Sequence, residues 1–343
     1  LKSDKEGGTL VEVAASLFLS LVLFSAIRVL SLFGAPLALF AAAPMAVLCI
    51  RRGESTFLMA AMAGAVLSGL LMGGASAMAY ALTVAFPAVL IARGLAYDWR
   101  PEKIVGIATV VIAGVSVLML RAMLPEGVRP WIDQLVAESI SSYQANGAPP
   151  AIVAMMQKQA ENYANVMYHV IPMAFAWSGM ALTVASMLAT RGYFSRTPHP
   201  AVTLSPITRW SLPDSWVWVL IGAAVLALLP SGPMRAVGGN LLGVLALAYA
   251  CQGWAVMAHQ FEARDVHPGL RAAVYLTLLL WPIFVLLLVA VGVFDVWTDV
   301  RKVRDDAATE GDAGLGDGPV DDDPEQHSSD EDDSGPDDSA PRA

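Results

Sequence analysis

Nine apolar blocks divide this chain: 9–33, 35–50, 57–73, 77–92, 103–122, 164–190, 215–230, 237–258 and 271–295. Their hydrophobic residues run on without the polar face of a soluble amphipathic helix. A helix needs about 20 such residues to cross roughly 30 Å of hydrocarbon. The pattern predicts an all-α, polytopic transmembrane bundle of about nine spans, with eight to ten allowed by the block boundaries. The second block is short, and the Gly34-Ala35-Pro36 turn before it predicts a tight hairpin with the first. That first block is longer than a signal-peptide core and lacks a small-x-small cleavage site, so it is expected to remain as a helix.

Lys and Arg in the short connections orient the bundle. With the N-terminus in the cytoplasm, the inner set is Lys2, Lys5, Arg51, Arg52, Arg93, Arg100, Lys103, Arg191, Arg196, Arg209, Arg264 and Arg271. The outer connections carry Arg129, Lys158 and Arg235, with Arg28 and Arg121 near outer helix ends. The asymmetry predicts a membrane protein with its N-terminus in the cytoplasm. One feature resists: Arg301, Lys302 and Arg304 follow the ninth block, where nine crossings would put them outside. A hairpin over 268–297, broken near Trp281-Pro282, would return them inside; nine crossings are the preferred reading.

Two connections are long. Residues 123–163 place "RPWIDQLVAESISSY" and "PAIVAMMQKQAENYANVMY" on either side of the breaker "NGAPP". Apolar residues at helical spacing (Trp131, Leu135 and Ile140; Ile152, Met155 and Met156) suit helices on the membrane surface or capping the bundle, or a lid over a site. Residues 191–214, on the inner side, hold prolines that forbid a regular helix. Trp210 there, with Trp216 and Trp218 just beyond it in the stretch to 220, fits an aromatic belt at headgroup level.

Composition changes one thing. The chain of 343 residues is 56% hydrophobic, 15% charged and carries a net charge of −9. Residues 305–343 hold 15 of the 30 acidic residues and only Arg342 among the bases, so the remainder is net basic. The chain divides into a membrane domain, 1–304, and an acidic tail, 305–343, expected to be disordered and solvated. Cys49 and Cys251 lie in apolar blocks with no metal-ligand companions and read as small hydrophobes.

Catalytic signatures are missing. There is no Walker motif, GxSxG, HExxH or paired CxxC, and His169, His199, His259, His267 and His327 have no ligand spacing. The expectation is a non-enzymatic protein without cofactor, metal or nucleic-acid partner. Small residues at four-residue steps (Ala60, Gly64 and Ser68; Gly69, Gly73 and Ala77; Gly239, Gly243, Ala246, Ala250 and Gly253) predict close helix packing.

Helix 164–190 is more informative. Asn165, His169, Pro172, Ala176, Gly179, Thr183, Ser186 and Thr190 fall on one face, a polar and small seam that lipid would leave unsatisfied. It must meet other helices or a wet cavity. Tyr249, Gln252 and His259 form a similar line on the eighth block. Arg28 lies about five residues from the outer end of its helix, where it either snorkels or pairs with carbonyls, or else holds an anionic ligand or lipid. The candidate binding residues are therefore Arg28, Asn165, His169, Tyr249 and Gln252.

The runs "MLATRGYFSRT…SPITRWSLPDSWVWVLIGAAVLALLP" and "VGVFDVWTDVRK", the latter with Asp295, Trp297, Asp299 and Arg301, resemble the YybS-like family of uncharacterised bacterial integral membrane proteins. The resemblance spans about 9–304, leaves out the acidic tail and implies a membrane-embedded protein without a known active site. More distantly, the first half resembles the substrate-binding subunits of energy-coupling-factor transporters. Those dock partner subunits through small residues at four-residue spacing, which Ser16 and Ser20 offer here without the alanines. Two functions follow as expectations. One is binding or transport of a small molecule, or an anionic lipid, through an outward-facing pocket. The other is a non-transporting scaffold or regulator that organises partner membrane subunits.

Overall fold

The computed structural model describes residues 2–200, 202, 208, 210–280 and 282–301. The tail expectation for 305–343 lies outside them. Every long element described is a helix: α1 (Lys2–Leu30), α2 (Ala35–Ala38), α3 (Ala43–Arg52), α4 (Glu54–Met72), α5 (Gly74–Tyr80), α6 (Phe86–Ala96) and α7 (Pro101–Met123). Then come α8 (Val128–Ala145), α9 (Pro150–Arg196), α10 (Trp216–Ala227), α11 (Pro233–Ala263), α12 (Pro268–Leu280) and α13 (Pro282–Thr298). Among the described residues, seven segments are long and apolar enough to cross a membrane: 9–30, 35–52, 54–72, 74–96, 101–123, 150–196 and 233–263. Two shorter apolar helices, Trp216–Ala227 and Ile283–Thr298, occupy the seventh and ninth blocks. This is an all-α polytopic bundle.

Local chemistry sets the breaks. Gly53 (φ 84°) and Gly73 (φ 96°) each form a one-residue joint between two helices, in the left-handed region where a side chain would be strained. The first hairpin closes through a 3-10 turn, Ser31–Gly34, and a Cβ on Gly34 would overlap the Ala26 carbonyl. Between α5 and α6 the chain widens into a π turn, Ala81–Ala85. Pro87 follows, with no N–H for the Thr83 carbonyl, and a π turn is a common way to absorb such a fault.

Small-residue stripes do the packing where lipid offers no hydrophobic drive. Tyr80 is fully buried, bonds Ser20 Oγ through its hydroxyl at 2.8 Å and meets Phe24 edge-on at 5.3 Å. Its ring fills the space a Cβ on Gly64 would need. At the α11–α13 contact, a Cβ on Gly253 would collide with the Leu288 carbonyl, and one on Gly292 with that of Tyr249. Backbone meets backbone there, and no side chain can yield. Gly253→Leu is therefore expected to undock α13 and lower the melting temperature of the purified protein by several degrees. Gly222→Leu, at a site open on all sides, should leave it unchanged. A thermal melt in detergent distinguishes the two.

Bases assigned to one side of the membrane do gather at one end of the bundle. Arg51 and Arg52 reach Glu12 at 3.0 and 2.6 Å, Arg51 donates to the Tyr193 hydroxyl at 2.7 Å, and Arg93 clasps Glu54 at 2.6 and 2.9 Å. These pairs are solvent-accessible and add little stability. They mark a basic end, opposite a far end.

Three expectations need correction. Residues 150–163 are not a separate surface helix: they run without a break into the sixth block as α9, 47 residues and roughly 70 Å long. That exceeds the roughly 30 Å of hydrocarbon, so α8 and the first turns of α9 make a hairpin beyond it. The ninth block is not one helix but two. α12 lies on the last third of α11, with Tyr275 stacked on Trp254 at 4.4 Å and Arg271 bonded to the Val266 and Phe261 carbonyls. Finally, Trp210 leaves the aromatic belt for the core at 4% exposure, whereas Trp216 and Trp218 stay exposed.

Candidate functional site

Pro172 lies inside α9. Its ring removes the donor for the Tyr168 carbonyl and crowds the preceding turn, which opens the next rung, Met173 N–H to the His169 carbonyl, to an outside partner. The Asn240 carboxamide, from α11, takes both ends of that gap. Its Oδ1 accepts from Met173 N at 2.9 Å, and its Nδ2 donates to His169 O at 2.6 Å and to Ala236 O at 2.8 Å. One amide thus replaces one missing rung, and a fault in the helix becomes a fixed joint with its neighbour.

Next to this joint, toward the far end, a cleft of about 550 Å³ opens between α9 and α11. Asn165, His169 and Met173 line one wall; Ser231, Arg235 and Gly239 line the other. Arg129 donates to Asn165 Oδ1 and to Asp133 at 3.0 Å. One lone pair of Asn165 Oδ1 is thereby taken, and this bond turns the NH₂ of the same amide into its free donor. His169 Nδ1 lies 2.7 Å from the backbone carbonyl of Asn165. A carbonyl can only accept, so Nδ1 carries the proton and Nε2 is the free nitrogen of the neutral ring. Arg235 gives one N–H to the Pro230 carbonyl at 3.2 Å. Among the described residues it has no carboxylate partner, and no acidic side chain lines the cleft.

The seam on α9 divides at Pro172. Asn165, His169 and Pro172 are exposed, whereas Ala176, Gly179, Thr183, Ser186 and Thr190 are buried. Gly179 packs on Ile112, Ser186 donates to the Leu39 carbonyl at 2.9 Å, and Thr183 and Thr190 bond back to their own helix. Only the far-end half of the seam faces open space.

The other three candidates lie elsewhere. Arg28 donates to the Met72 carbonyl at 3.1 Å, one of the carbonyls a helix C-terminus leaves unpaired. Tyr249 is fully buried against α13. Gln252, also fully buried, accepts from Leu212 N at 3.1 Å and donates to Asp295 Oδ2 at 3.0 Å. Asp295 Oδ2 in turn accepts from Arg301 at 2.7 Å, and Arg301 also holds the Thr208 and Trp210 carbonyls. After α13, Asp299 (φ 37°) turns the chain back and brings Arg301 to this place. The cluster ties the 191–214 connection to α11 and to the end of α13. Asn165 and His169 therefore share the cleft; Arg28, Tyr249 and Gln252 are outside it.

Sequence reasoning passed over Asn240 and Arg235. The first has a visible sign, a carboxamide inside an apolar helix that must find partners. The second was counted only as an outer charge.

Seven long apolar helical segments among the described residues, two shorter apolar helices and many exposed large hydrophobic side chains define a multi-pass helical membrane protein. The chain belongs to the family described as "Predicted membrane protein (DUF2232)", whose model matches residues 18–296, well over half its length. No curated protein and no solved structure matches it.

Proposed function

We propose that this is an N-in protein of the bacterial cytoplasmic membrane that binds a small molecule in the cleft between α9 and α11, at its outer face. The cleft carries the reading. Its volume of about 550 Å³ is that of a small-molecule site, and it joins an apolar wall to a few fixed polar groups. The basic end of the bundle, set in the cytoplasm by the positive-inside rule, leaves the cleft facing outward. The role assigned is binding without chemistry, in keeping with the resemblance to transporter substrate-binding subunits. The buried half of the seam below Pro172 supports binding rather than an open passage, and transport would require α9 and α11 to part. The same packed half favours the second reading, a scaffold whose helices only organise partners.

Gly239 offers the test, because a Cβ there meets nothing within 4 Å although the residue lines the cleft. Gly239→Trp should fill the cleft without disturbing the bundle. The expected result is that a species co-purifying with wild type, identified by mass spectrometry, is lost from Gly239→Trp and kept by Gly222→Trp. The same bound species in all three proteins would leave only the scaffold.

A further inference from the structure

Resting on that reading, we infer that the cleft is an oxyanion site, built for a phosphate-type group with Arg235 as its charge. Three observations converge. Arg235 is the only charged side chain in the lining, and no carboxylate among the described residues neutralises it. The carboxamide oxygens beside it already hold a donor each, Arg129 on Asn165 Oδ1 and Met173 N on Asn240 Oδ1, and the side-chain acceptor left open is the neutral His169 Nε2. What the walls still offer is on balance donating, namely the Asn165 NH₂, the Ser231 hydroxyl and the remaining guanidinium N–H groups. A cation would meet the Arg235 charge with no carboxylate in the lining to offset it. An oxyanion meets a guanidinium fork beside the Ser231 hydroxyl, with the Asn165 NH₂ on the opposite wall.

The chemistry selects the anion and leaves its source to experiment. The Val166, Val170 and Met173 side of the cleft suits the acyl chains or glycerol of an anionic phospholipid, and a soluble phosphate needs only the polar side. Arg129 is a positioning residue here. It sets the orientation of the Asn165 amide and is paired with Asp133, so it adds little net charge.

Lipid-stripped protein in dodecyl maltoside micelles would be titrated separately with inorganic phosphate and with phosphatidylglycerol. Melting-temperature shift reports the first, and native mass spectrometry of the retained lipid the second. We expect at least one probe to bind wild type and Arg235→Gln to weaken it by about tenfold or more, the effect of one charge-assisted hydrogen-bond partner. Arg235→Lys should fall between, since it keeps the charge and loses the fork. Response to inorganic phosphate assigns a soluble ligand, and response to phosphatidylglycerol alone assigns a headgroup. Equal affinity of wild type and Arg235→Gln for both probes overturns the anion assignment. If Gly239→Trp still expels a co-purified species in that case, the cleft survives as a binding site for something uncharged. A loss with Arg235→Gln and none with Gly239→Trp would place the anion on Arg235 outside the cleft, against both inferences.

Discussion

Replacing Arg301 by leucine is expected to destabilise the membrane domain by about 3–5 kcal/mol, the cost of breaking a buried ion pair from one side. The Arg301 and Asp295 side chains are 1% and 2% exposed. Without the guanidinium, the Asp295 carboxylate stays buried with only the Gln252 amide, and the Thr208 and Trp210 carbonyls lose their donor. The double variant Asp295→Leu/Arg301→Leu should recover part of the loss, because it leaves no lone charge. A double-mutant cycle on melting in detergent measures this coupling. Additive losses would mean that the two side chains are not a unit.

The second large effect is at the helix joint. Asn240→Leu leaves the His169 carbonyl and the Met173 N–H without partners, at about 1–3 kcal/mol for each group left unsatisfied. Asn240→Ala should cost less, since water from the cleft can enter and bond both. Pro172→Ala removes the original fault, so α9 can close its own rung. Pro172→Ala/Asn240→Leu should accordingly be more stable than Asn240→Leu alone. If removing Pro172 gives no rescue, the Asn240 amide is not standing in for a backbone bond.

The spans were legible because lipid demands long apolar runs, and every one of the nine blocks is helical in the described residues, although the second and the ninth are each divided into two helices. What hydropathy misses is continuity. Residues 150–163 are too polar to count as membrane, yet no breaker separates them from 164, so one helix carries both halves. Charge was read for threading alone. Arg301 looked like a flanking base and is instead a buried partner of loop carbonyls, a role set by the turn at Asp299. Trp210 was misplaced for a related reason, since Arg301 holds its backbone inside the core. The α9 seam pointed to the cleft through Asn165 and His169. Its other wall depends on pairing Met173 with Asn240, 67 residues away, which no local pattern reports.

A cysteine at position 239 tests an outward-facing cleft most directly. In a background of Cys49→Ala and Cys251→Ala, the account predicts that an impermeant thiol reagent labels Gly239→Cys in intact cells. It predicts that Ser55→Cys, an exposed and near-isosteric change beside Glu54 at the basic end, is labelled only after the membrane is opened. A Gly239→Cys protein that stays unlabelled until lysis, or a Ser55→Cys protein labelled from outside, would contradict it.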